Sequence, residues 1–475
     1  MMAKNTEKNT EILDYAIVGG GISGLASAWF LRQRGHSIQV LEAAAECGGT
    51  LRSRVVDGFL VEQGPNSTLE NTDALRELIE GIHLTEALQA ASPAGKQRYI
   101  LKNQHLEPLP LGPGPFLRTP LFSVLGKLRM LVEPFIGRAA VEESVAAFVR
   151  RRLGQEFLDW AIDPFISGVY AGDPERLSVQ AATAKVYALE AEHRSLIVGM
   201  VRKFLKGQQS GPAPSGRLIA FAGGMQTLAN GVVTALGPGG VRTQAQVTSL
   251  KRSVDGIWRL GLASGEEVTA HAVVLCLPAD KAAELLAPLA PSAATALRAI
   301  AYPVVASVAL GFRREQVHHH LDGFGFLIPR RCAVETLGTL FSSSLFPERA
   351  PKGHVLLTSF LGGARHPEIR EWDERMLVRQ VLRDIGPVLG IKGIPVLRAV
   401  TVWPRAIPQY EIGHLGRVAV IDQVLAGFPG LYTRANWREG ISVADCVRNA
   451  RTLAMTCGPH AQVTTVEQTP QTTKR

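Results

Sequence analysis

A glycine-rich turn near the start of the chain restricts the possible folds more than any other feature. An apolar run at residues 15–18 leads into a G-x-G-x-x-G turn at residues 19–24, and a second apolar run ends at Glu42. This order, with an acid about twenty residues after the glycines, is typical of a dinucleotide-binding βαβ unit. The first glycine permits the tight turn, the second lets a diphosphate approach the backbone, and the third lets helix and strand pack closely. The free N–H groups at the helix N-terminus would bind the diphosphate, and Glu42 would accept hydrogen bonds from ribose hydroxyls.

The length indicates a protein of several domains, and the cysteines indicate a reducing compartment. With 475 residues, 46% of them hydrophobic, the chain is long enough for two or three domains. Its five cysteines are scattered and contain no C-x-x-C pair. We therefore expect reduced thiols in a cytoplasmic protein, and neither a disulfide framework nor a zinc site. We expect no secretory signal, because residues 1–10 are polar, and no membrane-spanning helix, because the long uncharged segments contain glycine or proline.

The net charge of +9 arises from 51 basic and 42 acidic residues. No long run of lysine or arginine and no recognition motif accompanies it, so we expect no nucleic acid partner. An anionic membrane surface or an anionic substrate would explain the excess. A solvated basic face that only aids solubility explains it equally well.

Residues 93–140 differ in composition from the segments on either side. Residues 108–117 are rich in proline and glycine, which predicts an apolar loop and not a helix. Residues 121–136 are strongly apolar, with Lys127 and Arg129 interspersed, as in a helix that lies in a membrane interface. A helix that packs its apolar face inside the protein is the slightly favoured alternative.

The remainder of the chain alternates between helical and strand-forming segments. Residues 142–205 have a helical pattern, with predicted breaks at 163–164 and 172–174, and residues 207–215 resemble a polar linker. The polar, threonine-rich C-terminal segment predicts disorder. Predicted strands are a hairpin at 244–251 and 256–262, and single strands at 272–278, 304–312, 355–361 and 395–403.

Sequence blocks along nearly the whole chain resemble the protoporphyrinogen oxidase group of the flavin-dependent amine oxidase superfamily. The glycine turn, Glu42, Gly48-Gly49 and Arg52 are similar to its flavin-binding signature. The DPFISGVYAGDP run at residues 163–174 is close to the most specific block of the group. Further similar blocks, in the same order as in the family, are GFLVEQGPNS at 58–67, KQRYI at 96–100, DGFGFLIP at 322–329, SLFP at 344–347, GGA at 362–364, PRAIPQY at 404–410 and NWREGISVADC at 436–446.

The resemblance implies an α/β (α+β) fold in three parts. These are a Rossmann-like FAD-binding domain, a mixed-sheet substrate domain and a mainly helical, membrane-associating insertion. The implied segments are residues 12–70, 211–290 and 404–458 for the FAD-binding domain, 71–92 and 291–403 for the substrate domain, 93–210 for the insertion and 459–475 for a disordered tail.

The resemblance also implies a reaction. It is the six-electron oxidation of protoporphyrinogen IX to protoporphyrin IX in haem biosynthesis, with dioxygen as acceptor and hydrogen peroxide as by-product. Non-covalent FAD would carry the electrons, while the protein mainly orients the substrate. The partners to consider are the inner face of the cytoplasmic membrane as a peripheral surface, ferrochelatase and a second copy of the chain.

The substrate site implied by the resemblance contains few charged groups. Arg98 would pair with a substrate propionate, because a planar guanidinium fits a carboxylate bidentately. Gly168 would offer its carbonyl to a pyrrole N–H, and Asn66 would lie near the flavin ring. The candidates for packing on the macrocycle are Leu321, Leu337 and Leu357. The residues implied to bind FAD are Gly19, Gly20, Gly21, Ile22, Ser23, Gly24, Glu42, Gly48, Gly49, Arg52, Gly64, Pro65, Asn66, Val247, Trp403, Asn436, Gly440, Ile441 and Ser442.

Two departures from the family pattern lie in the last flavin segment. Ala435, preceded by Arg434, stands where family members commonly have a glycine, which would alter the approach of the ring. Amine oxidases with a covalent flavin carry a cysteine in this region, whereas the nearest here, Cys446, lies beyond the loop. We therefore expect the flavin to be non-covalent.

Three other functions are compatible with parts of the sequence. Coproporphyrinogen III is the nearest alternative substrate. An amine oxidase would need an aromatic cage, for which Trp403 and Trp437 are the nearby candidates. A flavin-bearing binding protein would result if Arg434 and Ala435 had disabled the redox site. The run of histidines at 318–320 is expected to be a solvated loop and not a metal site.

Overall fold

The computed structural model describes residues 12–110, 112–205 and 216–457, so the linker and the tail predicted from the sequence lie largely outside it. Within these residues the protein is a mixture of helices and mixed sheets, which confirms the α/β fold class. The strands are β1 (Leu13–Val18), β2 (Ile38–Leu41), β3 (Ser53–Val56), β4 (Phe59–Glu62), β5 (Thr68–Glu70), β6 (Leu88–Ala90), β7 (Tyr99–Lys102), β8 (His105–Pro108), β9 (Arg217–Phe221), β10 (Val241–Arg242), β11 (Val247–Arg252), β12 (Trp258–Leu262), β13 (Glu267–Leu275), β14 (Val305–Arg313), β15 (Gly325–Leu327), β16 (Thr336–Leu340), β17 (His354–Gly362), β18 (Leu397–Trp403) and β19 (Leu431–Thr433).

The α-helices range from single turns to sixteen residues. They are α1 (Ile22–Gln33), α2 (Asp73–Gly81), α3 (Pro113–Arg118), α4 (Val124–Leu131), α5 (Val145–Arg152), α6 (Gln155–Phe157), α7 (Asp163–Tyr170), α8 (Val179–Ala182), α9 (Ala184–His193), α10 (Leu196–Leu205), α11 (Gln226–Leu236), α12 (Ala279–Leu286), α13 (Pro291–Arg298), α14 (Ser342–Leu345), α15 (Glu374–Leu389), α16 (His414–Leu425) and α17 (Val443–Thr456).

The first large sheet is built from three separated parts of the chain. β1 lies between β2 and β13, and all three run parallel, so that Val18 pairs with both Leu41 and Leu275. β13 also pairs in parallel with β19 and antiparallel with β12, while β10 and β11 extend the two edges. The carboxyl ends of the parallel strands therefore meet at one edge, which is where open α/β sheets bind ligands. Helices α1, α11 and α17 cover one face of this sheet, and α12, α13 and α16 cover the other.

The second large sheet has the order β18-β14-β17-β16-β15-β7-β8. One face packs on α15, whose Leu377, Val381 and Ile385 are buried there. The opposite face packs on the β3–β4 hairpin through Phe59, and on the end of α7 through Ala171. This second face is thus covered by the separate β3–β4 hairpin and by the end of α7, and it forms one wall of the candidate site.

Helices α5–α10 form a separate layer with its own apolar core. Three of them begin at a serine that caps the helix, as at Ser144, whose hydroxyl accepts a hydrogen bond from the N–H of Ala147. The layer contacts the rest of the protein through α7 and through Ile441, which packs against its core. It lies within the stretch that the resemblance assigns to the insertion, although the predicted domain boundaries themselves stay predictions.

Most of the predicted strands are confirmed, while three local predictions were wrong. Residues 113–118 form helix α3, because a proline at the first position of a helix gives up no hydrogen bond. Residues 163–164 do not break the helix, because a π-helical turn, Leu158–Ile162, runs directly into α7, with Pro164 in its first turn. The third error concerns α4, whose apolar side chains are exposed and not packed inside.

Within the residues that the structure describes, no helix combines the length and the apolar character needed to cross a membrane. The exposed apolar side chains cluster on α4 and beside it. Leu125 is 78% exposed and Phe135 is 86% exposed, and Leu117, Val124, Leu128, Leu131 and Val141 are each at least half exposed. Seven such apolar side chains within residues 117–141 are more than scattered surface residues would give, and they favour an interaction site.

Candidate functional site

The glycine turn opens onto free space at the edge of the first sheet. A Cβ atom at Gly21 would meet no atom within 4 Å, whereas a Cβ at Gly24 would lie 1.9 Å from the carbonyl oxygen of Gly19. Gly19 has a φ of +106°, and a Cβ there would lie 2.7 Å from the carbonyl oxygen of Cys276. The first and third glycines are therefore needed to form the turn, and the second leaves its backbone accessible to a ligand.

A second backbone loop closes against this turn. The N–H of Gly48 donates to the carbonyl oxygen of Gly20 at 2.8 Å, and a Cβ at Gly49 would lie 3.3 Å from the Cα of Gly21. The Glu42 carboxylate accepts hydrogen bonds from the N–H of Gly20 at 2.6 Å and from the N–H of Ala44 at 2.7 Å. Glu42 therefore holds the two loops in register as well as facing the site.

The site offers unpaired donors that suit an anion. Helix α1 begins at Gly21 without a side-chain cap and has no acid in its first turn. Its N–H groups and dipole therefore favour negative charge. The guanidinium of Arg52 makes no hydrogen bond within the described residues, and its buried Nε has no partner. These features fit the diphosphate that the sequence predicts here.

The segment after β4 is fixed by a buried ion pair that sequence reasoning missed. Arg349 contacts the Glu62 carboxylate at 3.1 Å and donates to Oδ1 of Asn66 at 3.0 Å. Burial raises the pKa of Glu62 and lowers that of Arg349, although each partner opposes the effect on the other. The Nδ2 of Asn66 is left buried without a partner, so it presents a donor to a ligand. Gly64 lies so close to Thr50 that a Cβ there would be 2.1 Å from the Thr50 carbonyl oxygen, and Pro65 joins Gly64 to Asn66.

The loop before α17 forms the opposite side of the site. Gly440 has a φ of +123°, and its N–H donates to the hydroxyl of Tyr410 at 3.0 Å. The same hydroxyl donates to the carbonyl oxygen of Asn436 at 2.6 Å, so Tyr410 ties the two ends of the loop together. Ser442 caps α17 by accepting from the N–H of Asp445. Tyr410 was also missed, and only its place in the PRAIPQY block signalled it.

His414 supports this loop through its contacts with Tyr410 and Trp437. Its ring stacks on Tyr410 with centroids 4.2 Å apart, and its Nε2 lies 2.9 Å from the carbonyl oxygen of Trp437. Because a carbonyl can only accept, Nε2 carries the proton. Burial lowers the pKa of His414 to about 4, so this ring is neutral near pH 7.

Trp403 and Val247, both predicted to bind FAD, differ in how far they are buried in the protein. The indole N–H of Trp403 donates to the carbonyl oxygen of Gln63 at 2.7 Å, which brings this ring to the Gly64–Asn66 segment. Val247 begins β11 and is buried in the core beside the first sheet. Trp437 is fully buried in that core and donates to the carbonyl oxygen of Leu277, so it cannot form an aromatic cage with Trp403.

Arg98 lies before β7 and has no acidic partner within the described residues. Its guanidinium carbon lies 5.0 Å from the centre of the Phe324 ring. Burial lowers the pKa of Arg98. A desolvated cation that makes no ion pair to an acid is unfavourable unless an anion reaches it, so the geometry favours an anionic ligand here.

Helix α7 brings Gly168 against the second sheet. A Cβ at Gly168 would lie 2.3 Å from Cδ2 of Leu327, so any larger residue here would require the Leu327 side chain to move. The position of α7 is fixed by Arg365, which donates to Asp163 at 2.7 Å and to Ser167 at 2.6 Å. Arg365 was missed because it follows the GGA block without being part of it.

The three candidate leucines belong to two different apolar clusters beside the second sheet. Leu337 packs beside Ala171 on the face towards α7. Leu321 and Leu357 belong instead to the core under α15. The structure thus brings Leu337 near the candidate site, and it does not bring Leu321 and Leu357 there.

Among the three histidines at 318–320, the middle one is partly buried. His319 accepts a hydrogen bond from the N–H of Leu321 and packs edge-on against Tyr99.

The sequence did not predict a separate cluster around His366. This residue lies between two carboxylates, with its Nδ1 2.5 Å from Glu335 and 3.1 Å from Glu368. One polar atom of each of these three side chains lies within 4.8 Å of the others.

Comparison with known proteins decides the family. The model of flavin containing amine oxidoreductases matches residues 22–456. The chain belongs to this family. It is 37% identical over 467 residues to a chloroplastic protoporphyrinogen oxidase of Oryza sativa subsp. japonica, covering 92% of this chain and 86% of the relative. It is also 32% identical over 450 residues to a coproporphyrinogen III oxidase of Bacillus subtilis (strain 168), covering 91% and 95%.

Solved structures of the family share the fold. A proposed protoporphyrinogen oxidase from Exiguobacterium sp. 255-15 superposes with a TM-score of 0.79 at 26% identity, covering 94% of this chain and 99% of that one. A putrescine oxidase superposes with a TM-score of 0.71 at 17% identity, which shows the fold alone. This family member is therefore a flavin-dependent oxidoreductase. Its open Gly21, the free Nε of Arg52 and the free Nδ2 of Asn66 fit such a cofactor.

Proposed function

We propose that the flavin is FAD and that it is held without a covalent bond. The turn at residues 19–24 would bind the diphosphate, Glu42 the adenosine ribose, and the loop at residues 436–442 the flavin ring. Support for non-covalent binding comes from Cys446, whose thiol is fully buried and whose pKa is raised by burial to about 11. A buried, protonated thiol is a poor nucleophile.

We propose protoporphyrinogen IX as the substrate and protoporphyrin IX as the product. The observation that carries this proposal is Arg98, a desolvated guanidinium without an acidic partner, next to the aromatic ring of Phe324. Its donors suit a propionate, and Phe324 suits an apolar macrocycle. Relatives named protoporphyrinogen oxidase support the same assignment.

The residues of this chain would bind and orient the substrate. When bound, the flavin supplies hydride acceptance at a ring nitrogen and passes electrons to dioxygen, which yields hydrogen peroxide. Arg98 would anchor one edge of the substrate, and the carbonyl of Gly168 would accept from a pyrrole N–H. Arg365 would keep Gly168 in place through its bonds to Asp163 and Ser167. We assign no side chain as a general acid or base.

A second candidate is oxidation of coproporphyrinogen III, which the relative from Bacillus subtilis supports by its name. Both substrates carry propionates, although in different numbers, so either would pair with Arg98. An amine substrate is less compatible with the site, since Trp437 is buried away from Trp403.

The test is turnover of each porphyrinogen in air, followed by porphyrin fluorescence, with an amine-dependent peroxide assay beside it. We expect protoporphyrinogen IX to give the highest kcat/KM. Arg98→Ala should raise KM about 10- to 100-fold with little change in kcat, because a charge-assisted contact to the propionate is present in ground and transition states alike. The exposed Arg252→Ala serves as the matched control. An unchanged KM in Arg98→Ala, or turnover of amines only, would refute the proposal.

We further propose that α4 attaches the protein peripherally to the inner face of the cytoplasmic membrane. Its leucines are exposed, while its two basic side chains are directed to carbonyl groups of the protein. Lys127 donates to the carbonyl oxygens of Leu117 and Thr119, and Arg129 donates to that of Arg151. An outward apolar face of this kind suits the acyl–headgroup boundary. Contacts with ferrochelatase and a homodimer stay predictions from the sequence resemblance.

A further inference from the structure

Arg434, which directly precedes the departure from the family pattern at Ala435, lies at the carboxyl edge of the first sheet. Its N–H donates to the carbonyl oxygen of Leu275 at 2.9 Å and so extends the pairing of β19 with β13. Cys276 directly follows that neighbouring strand, and a Cβ added at Gly19 in the glycine turn would lie 2.7 Å from its carbonyl oxygen. The backbone of Arg434 is thus one strand away from the turn that is proposed to bind the diphosphate.

The side chain of Arg434 leaves β19 towards the helices whose N-termini border the site. Side chains alternate along a strand. Tyr432 packs in the core with α1 and α17, and Thr433 faces the other way and accepts from Arg438. Arg434 therefore shares the side of Tyr432. It lies near enough to the Cys276 thiol, also in that core, for the two to interact electrostatically.

The guanidinium of Arg434 makes no ion pair within the described residues, although Glu439 lies near enough to act on it electrostatically. In the part of the chain that the structure describes, this guanidinium donates one hydrogen bond, to the carbonyl oxygen of the preceding residue, Thr433, at 2.9 Å, and its Nε is buried without a partner. The neighbouring Arg438, in contrast, is paired with both oxygens of Asp422 at 2.7 and 2.9 Å. Burial and the proximity of Arg438 lower the pKa of Arg434. A partly desolvated guanidinium in this setting is stabilised by an external anion.

We propose that Arg434 binds the diphosphate of the cofactor from the β19 side, as a counter-ion additional to the backbone N–H groups of the glycine turn. The inference rests on the proposed identity of the flavin as FAD, because riboflavin carries no phosphate. In this arrangement the diphosphate dianion would pair with a guanidinium that has no ion pair within the described residues. Arg434, next to the departure at Ala435, then strengthens cofactor retention and does not disable the site.

The test uses the full-length chain and two flavins. The wild type, Arg434→Gln and Arg434→Lys are stripped of flavin and titrated with FAD and with riboflavin, and Arg252→Gln, which changes an exposed arginine, serves as the control. We expect Arg434→Gln to bind FAD on the order of 10- to 100-fold more weakly, as for loss of a charge-assisted hydrogen bond. Its affinity for riboflavin should change by less than about twofold, and Arg434→Lys should lie between, because lysine keeps the charge without the fork.

A second measurement avoids variants that fail to fold. Phenylglyoxal is applied to the wild type alone, with FAD and with riboflavin, and modification of Arg434 is followed by mass spectrometry. FAD should protect Arg434, and riboflavin should not. Equal modification in all three samples, or equal weakening of FAD and riboflavin in Arg434→Gln, would overturn the inference alone. A wild type that binds riboflavin as tightly as FAD, or neither, would overturn the proposed cofactor instead.

Discussion

Gly21 and Gly24 lie three residues apart in one turn, yet an added methyl group is expected to damage binding at the first and folding at the second. At Gly21 the new Cβ enters empty space, and the backbone has a φ of −71° that any residue adopts. At Gly24 the new Cβ would lie 1.9 Å from the carbonyl oxygen of Gly19, more than 1 Å inside the closest contact that real Cβ atoms make. The structure therefore separates a ligand-binding glycine from a packing glycine.

The expected magnitudes differ accordingly. Gly24→Ala should destabilise the flavin-free protein by about 3 kcal/mol or more, since overpacking against rigid backbone cannot relax. Gly21→Ala should change that stability by less than about 0.5 kcal/mol. It should nevertheless weaken FAD binding on the order of 100-fold, which corresponds to losing two charge-assisted hydrogen bonds of about 1.5 kcal/mol each. Gly21→Val should leave the protein colourless.

Thermal unfolding of the flavin-free proteins and titration with FAD measure the two effects separately. The reasoning predicts normal unfolding with weak binding for Gly21→Ala, and early unfolding for Gly24→Ala. If Gly21→Ala keeps its FAD affinity, the open space at this glycine is not where the cofactor lies. If Gly24→Ala unfolds like the wild type, the close approach of helix and strand is not as described.

Three further perturbations test separate parts of the structure. Arg349→Met should cost about 3–5 kcal/mol, because it leaves Glu62 buried without its partner; a loss below about 1 kcal/mol in urea unfolding would contradict this. His414, with a pKa lowered to about 4, binds its proton more weakly when folded than when unfolded at about 6.5. Stability should therefore fall by up to about 3 kcal/mol as the pH drops from about 6.5 to about 4; His414→Gln should flatten this slope, and an unchanged slope would exclude His414 as its source. Leu125→Glu with Leu128→Glu should abolish flotation with anionic liposomes while leaving activity in detergent intact; the protein should not float in either form if α4 has no membrane role.

The local parts of the fold could be predicted from the sequence because short-range chemistry determines them. The glycine turn predicted the order of β1, α1 and β2, and the alternating pattern predicted the β11–β12 hairpin, which the structure confirms. The error at α3 has an equally local origin. A proline ends a helix in most positions, but at the first turn it fits without loss.

The contacts between distant segments could not be predicted in this way. Arg349 meets Asn66 across 283 positions of the chain, and no motif marks the pair. The position of Leu357 depends on which face of the second sheet it occupies, and one step in register reverses that face. Leu321 lies in the loop before β15, and no short pattern shows which core that loop joins. The exposure of α4 depends on what the rest of the protein leaves uncovered, which an apolar pattern does not reveal.

The most direct test of the central proposal is an anaerobic mixture of the flavin-loaded protein with protoporphyrinogen IX, followed by the admission of air. We predict that the yellow absorbance of the flavin fades on mixing and returns in air as porphyrin fluorescence and hydrogen peroxide rise together. A protein that stays colourless after incubation with excess FAD, or one whose bound flavin is unchanged by the porphyrinogen, would contradict the account.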